Sequence, residues 1–99
     1  MNDFRYPIGE FDVNAFSDRS ANLRTIRELP AKVAAAVDGL TDEQLDTPYR
    51  DGGWTVRQTV HHIADSHMNS QIRFKLALTE DEVPTIRPYY EDRWAELGD

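Results

Sequence analysis

The sequence predicts an all-α fold: two long helices, a short helix between them and ordered arms at either end, too little on its own to close a helical bundle. Three observations predict it. Apolar residues recur at spacings of three and four along two long stretches. Two helix starts carry a capping box, Thr41 with Gln44 and Thr55 with Gln58. No segment shows the strict alternation of a half-buried strand, and there is no internal repeat or low-complexity tract.

Residues 1–17 read as an irregular arm punctuated by Pro7 and Gly9, with Phe4, Tyr6, Ile8, Phe11 and Phe16 available to pin it to the body of the protein. A first long helix follows, from Asp18 or Ser20 to Val37, with Leu23, Ile26, Pro30, Val33, Val37 and Leu40 along its apolar side. Pro30 lacks a backbone donor, which predicts a kink near Leu29 or a helix that begins afresh at Pro30. Gly39 should close the helix. The capping box at Thr41 opens a short helical turn that Pro48 stops. PYRDGG then turns the chain into the second long helix.

That second helix starts at Thr55 or Val56 and is the longest run free of Pro and Gly. Between Val56 and Leu78 its only charged residues are Arg57, Asp65, Arg73 and Lys75, far fewer than a fully solvated helix carries. Val56, Val60, Ile63, His67, Ser70, Phe74 and Leu78 fall on one stripe, flanked by Ala64, Met68 and Ile72. Thr55, Thr59, His62, Ser66, Asn69 and Arg73 fall on another that is polar but almost uncharged. Two readings of this polar stripe stand: an ordinary solvated face, or the floor of a hydrated cavity able to orient a metal or small ligand. After Leu78, Pro84 and Pro88 forbid regular helix and make residues 80–89 a crossing loop or an exposed arm. A last helix should begin near Tyr90 and pass through Trp94 and Leu97.

The chain of 99 residues suits one small domain, residues 1–99, whose core a partner chain is expected to complete. With 18 acidic against 11 basic residues and a net charge of −7, general affinity for nucleic acid or an anionic membrane is excluded. Cysteine is absent, so the chain supplies no thiolate ligand and no cysteine nucleophile. It has neither the apolar core of a signal peptide nor a run able to span a bilayer, and a cytoplasmic location is expected.

The three histidines lie within seven positions, but helical geometry keeps them from sharing an ion. His61 and His62 point about 100° apart and His62 and His67 about 140°, so no pair has the spacing that lets one helix chelate. His67 sits on the apolar stripe and is expected to be a hydrogen-bonded core residue. His61 has Asp65 four positions on. His62 faces the polar stripe, with Ser66 and Asn69 beneath it, and is the candidate metal ligand.

YPIGEF near the start, LDTPYRDGGWTVRQTVHHIADSHMNSQIRFKLALTED in the middle and PTIRPYYEDRWAEL at the end closely resemble the YfiT branch of the DinB/YfiT-like proteins. The likeness covers nearly the whole chain and is weakest over residues 12–32. Members are described as metal-dependent hydrolases and as transferases of the low-molecular-weight thiol bacillithiol. The resemblance implies an up-down four-helix bundle, usually a homodimer, holding nickel or zinc through three histidines and acting on a small thiol or an electrophilic substrate. In the family the first ligand follows the tryptophan at the helix start by eight residues, which lands on His62, with Asp65 and Asn69 to steady it. The family's other two ligands form an H-x-x-x-H pair on a last helix that this sequence does not contain. One third of the site is therefore expected here, in a chain read as the N-terminal half of the bundle: a truncated relative, a fragment, or a subunit completed by a second copy. The competing expectation is a non-catalytic helical module that persists by oligomerising.

Overall fold

In chain order the elements are a short 3-10 turn at Val13–Phe16, α1 (Arg19–Val37), α2 (Asp42–Leu45), α3 (Val56–Thr79) and α4 (Glu91–Ala95). The computed structural model describes residues 4–99. Among them there is no strand, only an isolated antiparallel bridge between Pro48 and Thr55.

Side-chain caps set the helix starts. Asp18 Oδ1 accepts from the Ala21 amide at 3.2 Å and opens α1. The fresh start expected at Pro30 does not occur, because α1 runs unbroken through it. Pro30 is exposed, so the Ile26 carbonyl that loses its helical donor there can turn to water. Gly39, at φ +79°, ends the helix in the left-handed region, with the Leu40 amide donating to the Val37 carbonyl at 3.2 Å.

Both capping boxes form. The Gln44 amide donates to Thr41 Oγ1 at 3.1 Å while Gln44 Oε1 accepts from the Thr41 amide at 2.9 Å. At α3 the Gln58 amide donates to Thr55 Oγ1 at 3.1 Å and Gln58 Oε1 accepts from the Thr55 amide at 2.9 Å. Thr55→Ala removes one half of the α3 box and is expected to lower stability by about 1 kcal/mol, read as a shift in urea midpoint.

Arg57, in the first turn of α3, reaches back to α2. Its Nε donates to Asp46 Oδ1 at 2.8 Å and its Nη2 to Asp42 Oδ1 at 3.2 Å. The hydrogen bond to Asp46, then that to Asp42, raises the guanidinium above its ordinary range, so it stays charged at any working pH. This clamp is exposed and screened by salt, and it serves to set α2 on α3.

Between them the PYRDGG turn is tight. The Tyr49 amide donates to the Trp54 carbonyl at 3.1 Å, the Gly53 amide to the Arg50 carbonyl at 3.0 Å, and Gly52 sits at φ +73°. A Cβ on Gly53 would come within 2.7 Å of both Arg50 Cγ and Tyr49 Cε1. Gly53→Ala should therefore cost about 1–3 kcal/mol by overpacking. A thermal melt indistinguishable from the parent would show that the turn yields freely.

Beyond Thr79 the chain reverses and returns along α3. Arg73 Nη2 donates to the Arg87 carbonyl at 3.2 Å, and Gln58 Nε2 to the Ala95 carbonyl at 3.0 Å. The segment thus starts beside the end of α3 and finishes beside its beginning. α4 is shorter than expected and stops at Ala95, before Leu97.

No described residue is fully buried. The accessible surface is 8885 Å², against about 5800 Å² for a compact monomer of this mass, and the radius of gyration is 16.1 Å rather than about 13 Å. α1 half-buries Leu29, Val33 and Val37 but leaves Leu23 and Ile26 exposed. On α3 the apolar stripe is half-covered only as far as Ile63, while Phe74 is 72% and Leu78 83% exposed. The N-terminal arm is tied by Asn22 Nδ2 donating to the Phe16 carbonyl at 2.8 Å, and Phe11 stacks on Phe16 with ring centroids 5.3 Å apart. Its apolar side chains nonetheless remain exposed rather than docked, Ile8 almost completely so. Residues 1–3 of that arm lie outside the described residues.

Candidate metal centre

His62 takes its position from the turn before α3. Trp54, its carbonyl held by the Tyr49 amide and its neighbour Thr55 locked in the capping box, presents its indole to the second turn of the helix. There the His62 ring meets it edge-on, centroids 4.9 Å apart and planes at 64°, a favourable aromatic geometry. His62 is half-buried, and its ring nitrogens have no hydrogen-bond partner among the described residues. An imidazole steadied by packing, with both nitrogens uncommitted, can give a lone pair to a metal.

The other two histidines depart from expectation. His67 is exposed, not a core residue, because the chain that returns along α3 covers a different side of the helix. His61 finds Asp99 instead of Asp65, with Nδ1 3.8 Å from Asp99 Oδ1, since the return brings the C-terminal residues over the start of α3. Nor do Asp65 and Asn69 steady His62. Asn69 Nδ2 donates to the Asp65 backbone carbonyl at 2.8 Å, a bond along the helix that leaves the imidazole alone.

The polar stripe is not a freely solvated face. His62, Ser66, Asn69 and Arg73 are all half-buried, and only Thr59 of the stripe is exposed. A groove of about 700 Å³ opens over its far half, between α3 and the returning segment, lined by Asn69 and Arg73 among others. His62 does not line it. A smaller cavity of about 40 Å³ lies beside His61, Gln58 and Asp99. Arg87, Tyr89 and Trp94, which line the larger groove, are not singled out as site residues by the sequence, where Trp94 reads only as part of the last helix. The signal available was PTIRPYY, a basic and aromatic island directly after an acidic run.

Among the described residues no three His, Cys, Asp or Glu side chains come together in a group able to hold an ion. His62 is the half-buried imidazole whose nitrogens are uncommitted, and no ligand group assembles around it among the described residues. Nor, among those residues, is any helix long and apolar enough to cross a membrane.

Comparison with known proteins bears on the first of these. The DinB superfamily profile matches residues 25–99. YfiT of Bacillus subtilis, named as a candidate metal-dependent hydrolase, is 59% identical over 97 residues, covering 95% of this chain and 54% of YfiT. A Bacillus mycoides protein with the same designation is 56% identical over 102 aligned positions, covering all of this chain and 58% of the relative. The solved structure of B. subtilis YfiT superposes with a TM-score of 0.81 at 58% identity, covering 97% of this chain and 56% of that one; it is described as a four-helix bundle of unusual topology. The chain therefore spans little more than half the length of the curated relatives it matches.

Proposed function

The chain belongs to the DinB superfamily, and from that premise we propose that residues 1–99 act as one domain forming one side of a metal-dependent bundle enzyme. In it His62 gives one ligand to a divalent ion, nickel or zinc. The observation that carries the reading is the state of that side chain: half-buried, braced by Trp54, and with neither ring nitrogen bonded to another described residue. The two further ligands come from outside the group of side chains this chain assembles.

When bound through three protein ligands, such an ion supplies Lewis acidity and an open position for an acidified water or thiol. The reaction class is hydrolysis or the transfer of a thiol such as bacillithiol to an electrophile, in the cytoplasm. The chain's own part is to hold one imidazole at a fixed distance from the start of α3. We further infer a homodimer, because the surplus of accessible surface, about 3000 Å², is well beyond the roughly 800 Å² that one partner commits to a standard interface.

Calorimetric titration of the assembled chain with nickel and with zinc tests the metal reading. Saturable submicromolar binding supports it. Absence of binding in the assembled state leaves a second reading, a non-catalytic helical module that functions by association, which the lack of a grouped ligand set among the described residues favours.

A further inference from the structure

The groove between α3 and the returning segment carries chemistry that His62 does not use. Arg73 and Arg87 both line it, and among the described residues none that lines it is acidic, in a chain with 18 acidic against 11 basic residues. Arg73 is half-buried, and its one bond among the described residues is from Nη2 to the Arg87 backbone carbonyl. No carboxylate stands near it on the helix, since the residues three and four positions away are Asn69, Ser70, Leu76 and Ala77. The Arg87 side chain has no partner among the described residues. Arg57 on the same helix, by contrast, holds two aspartates.

A guanidinium drawn part-way out of water without a counter-charge is a standing cost, and its planar fork of donors is shaped for a carboxylate or phosphate. Tyr89, which also lines the groove, packs against Trp94 with ring centroids 4.6 Å apart and forms an aromatic wall with it. Asn69 spends its amide nitrogen on the Asp65 carbonyl, which leaves its Oδ1 to accept a hydrogen bond. The volume is that of a small-molecule site.

We propose that this groove binds a small organic anion, its carboxylate or phosphate between Arg73 and Arg87 and its apolar part against Tyr89 and Trp94. The site lies eleven residues along α3 from His62, about 16 Å at the helical rise. It depends on no property of that histidine.

Phenyl phosphate and benzoate are the probes, titrated side by side into the assembled chain with a chelator present, so that the result is independent of metal binding. Calorimetry and the Trp94 indole resonance give the readout. Saturable, salt-weakened binding is expected for at least one of them, and the comparison tells phosphate from carboxylate preference. Arg87→Gln and Arg73→Gln should each weaken it by about tenfold or more, and Arg24→Gln on α1 should leave it unchanged. Phenol should bind less tightly than either anion. Arg87→Gln breaks no bond among the described residues, so it decides the matter even where Arg73→Gln fails to fold. The inference is overturned if neither probe binds, if Arg87→Gln binds as tightly as the parent, or if phenol matches the anions.

Discussion

His62→Ala is expected to lower nickel or zinc affinity by more than about a hundredfold, since even residues that only orient a metal ligand are worth about ten- to a hundredfold. His67→Ala and His61→Ala should each stay close to the parent. The contrast follows from placement. His67 is exposed and His61 lies beside Asp99, whereas His62 is braced on Trp54 with its nitrogens uncommitted. Trp54→Ala removes the brace but no ligand, so it should weaken binding less than His62→Ala while leaving the stoichiometry unchanged. Equal losses in all three histidine variants would mean that metal binds adventitiously to the histidine cluster, and the assignment of His62 would fall.

The second large effect concerns assembly. Under the proposed dimer, the chain sediments as a dimer and melts at a temperature that rises with its concentration, because association would cover the apolar side chains it leaves exposed. Phe74→Asp should raise the dissociation constant by about a hundredfold or more, as it sets an unpaired carboxylate where an aromatic ring would be buried between chains. Asp81→Asn, on the exposed acidic loop, should leave it unchanged. A monodisperse monomer that unfolds cooperatively at every concentration would refute the dimer.

The parts of this fold legible in the sequence are those decided within one helical turn. Thr41 with Gln44, Thr55 with Gln58 and Gly39 each satisfy or end a helix through their own neighbours, and each does in the structure what its spacing implies. His62 was singled out by helical projection; its half-buried setting disagrees with a freely solvated face, but the cavity over the polar stripe lies further along α3 and His62 does not line it. What failed was the choice of which side of α3 would be covered. Periodicity reports two stripes but not where a neighbour will lie. The returning segment settles on the side holding Gln58, His61, Asn69 and Arg73, so His67, Phe74 and Leu78 stay outside it. Prolines at 84 and 88 mark that segment as non-helical without saying that it doubles back, which is why the place of Arg87 and Trp94 beside α3 was not legible.

One further consequence lies in the order of packing along the chain. α2 and α4 both dock on α3, the element next to each of them, whereas α1 makes no comparable packing with any other helix. The loops closed within the chain run from 11 residues at the Arg57–Asp46 pair to 37 at Gln58–Ala95, with no strand pairing, so this part of the fold should form without a step between molecules and at a rate independent of concentration. Under the proposed dimer, α1 gains its cover in an encounter between molecules, a step that takes milliseconds to minutes and speeds up with concentration. Rapid-mixing experiments should therefore resolve two phases of refolding, with only the slower one second order.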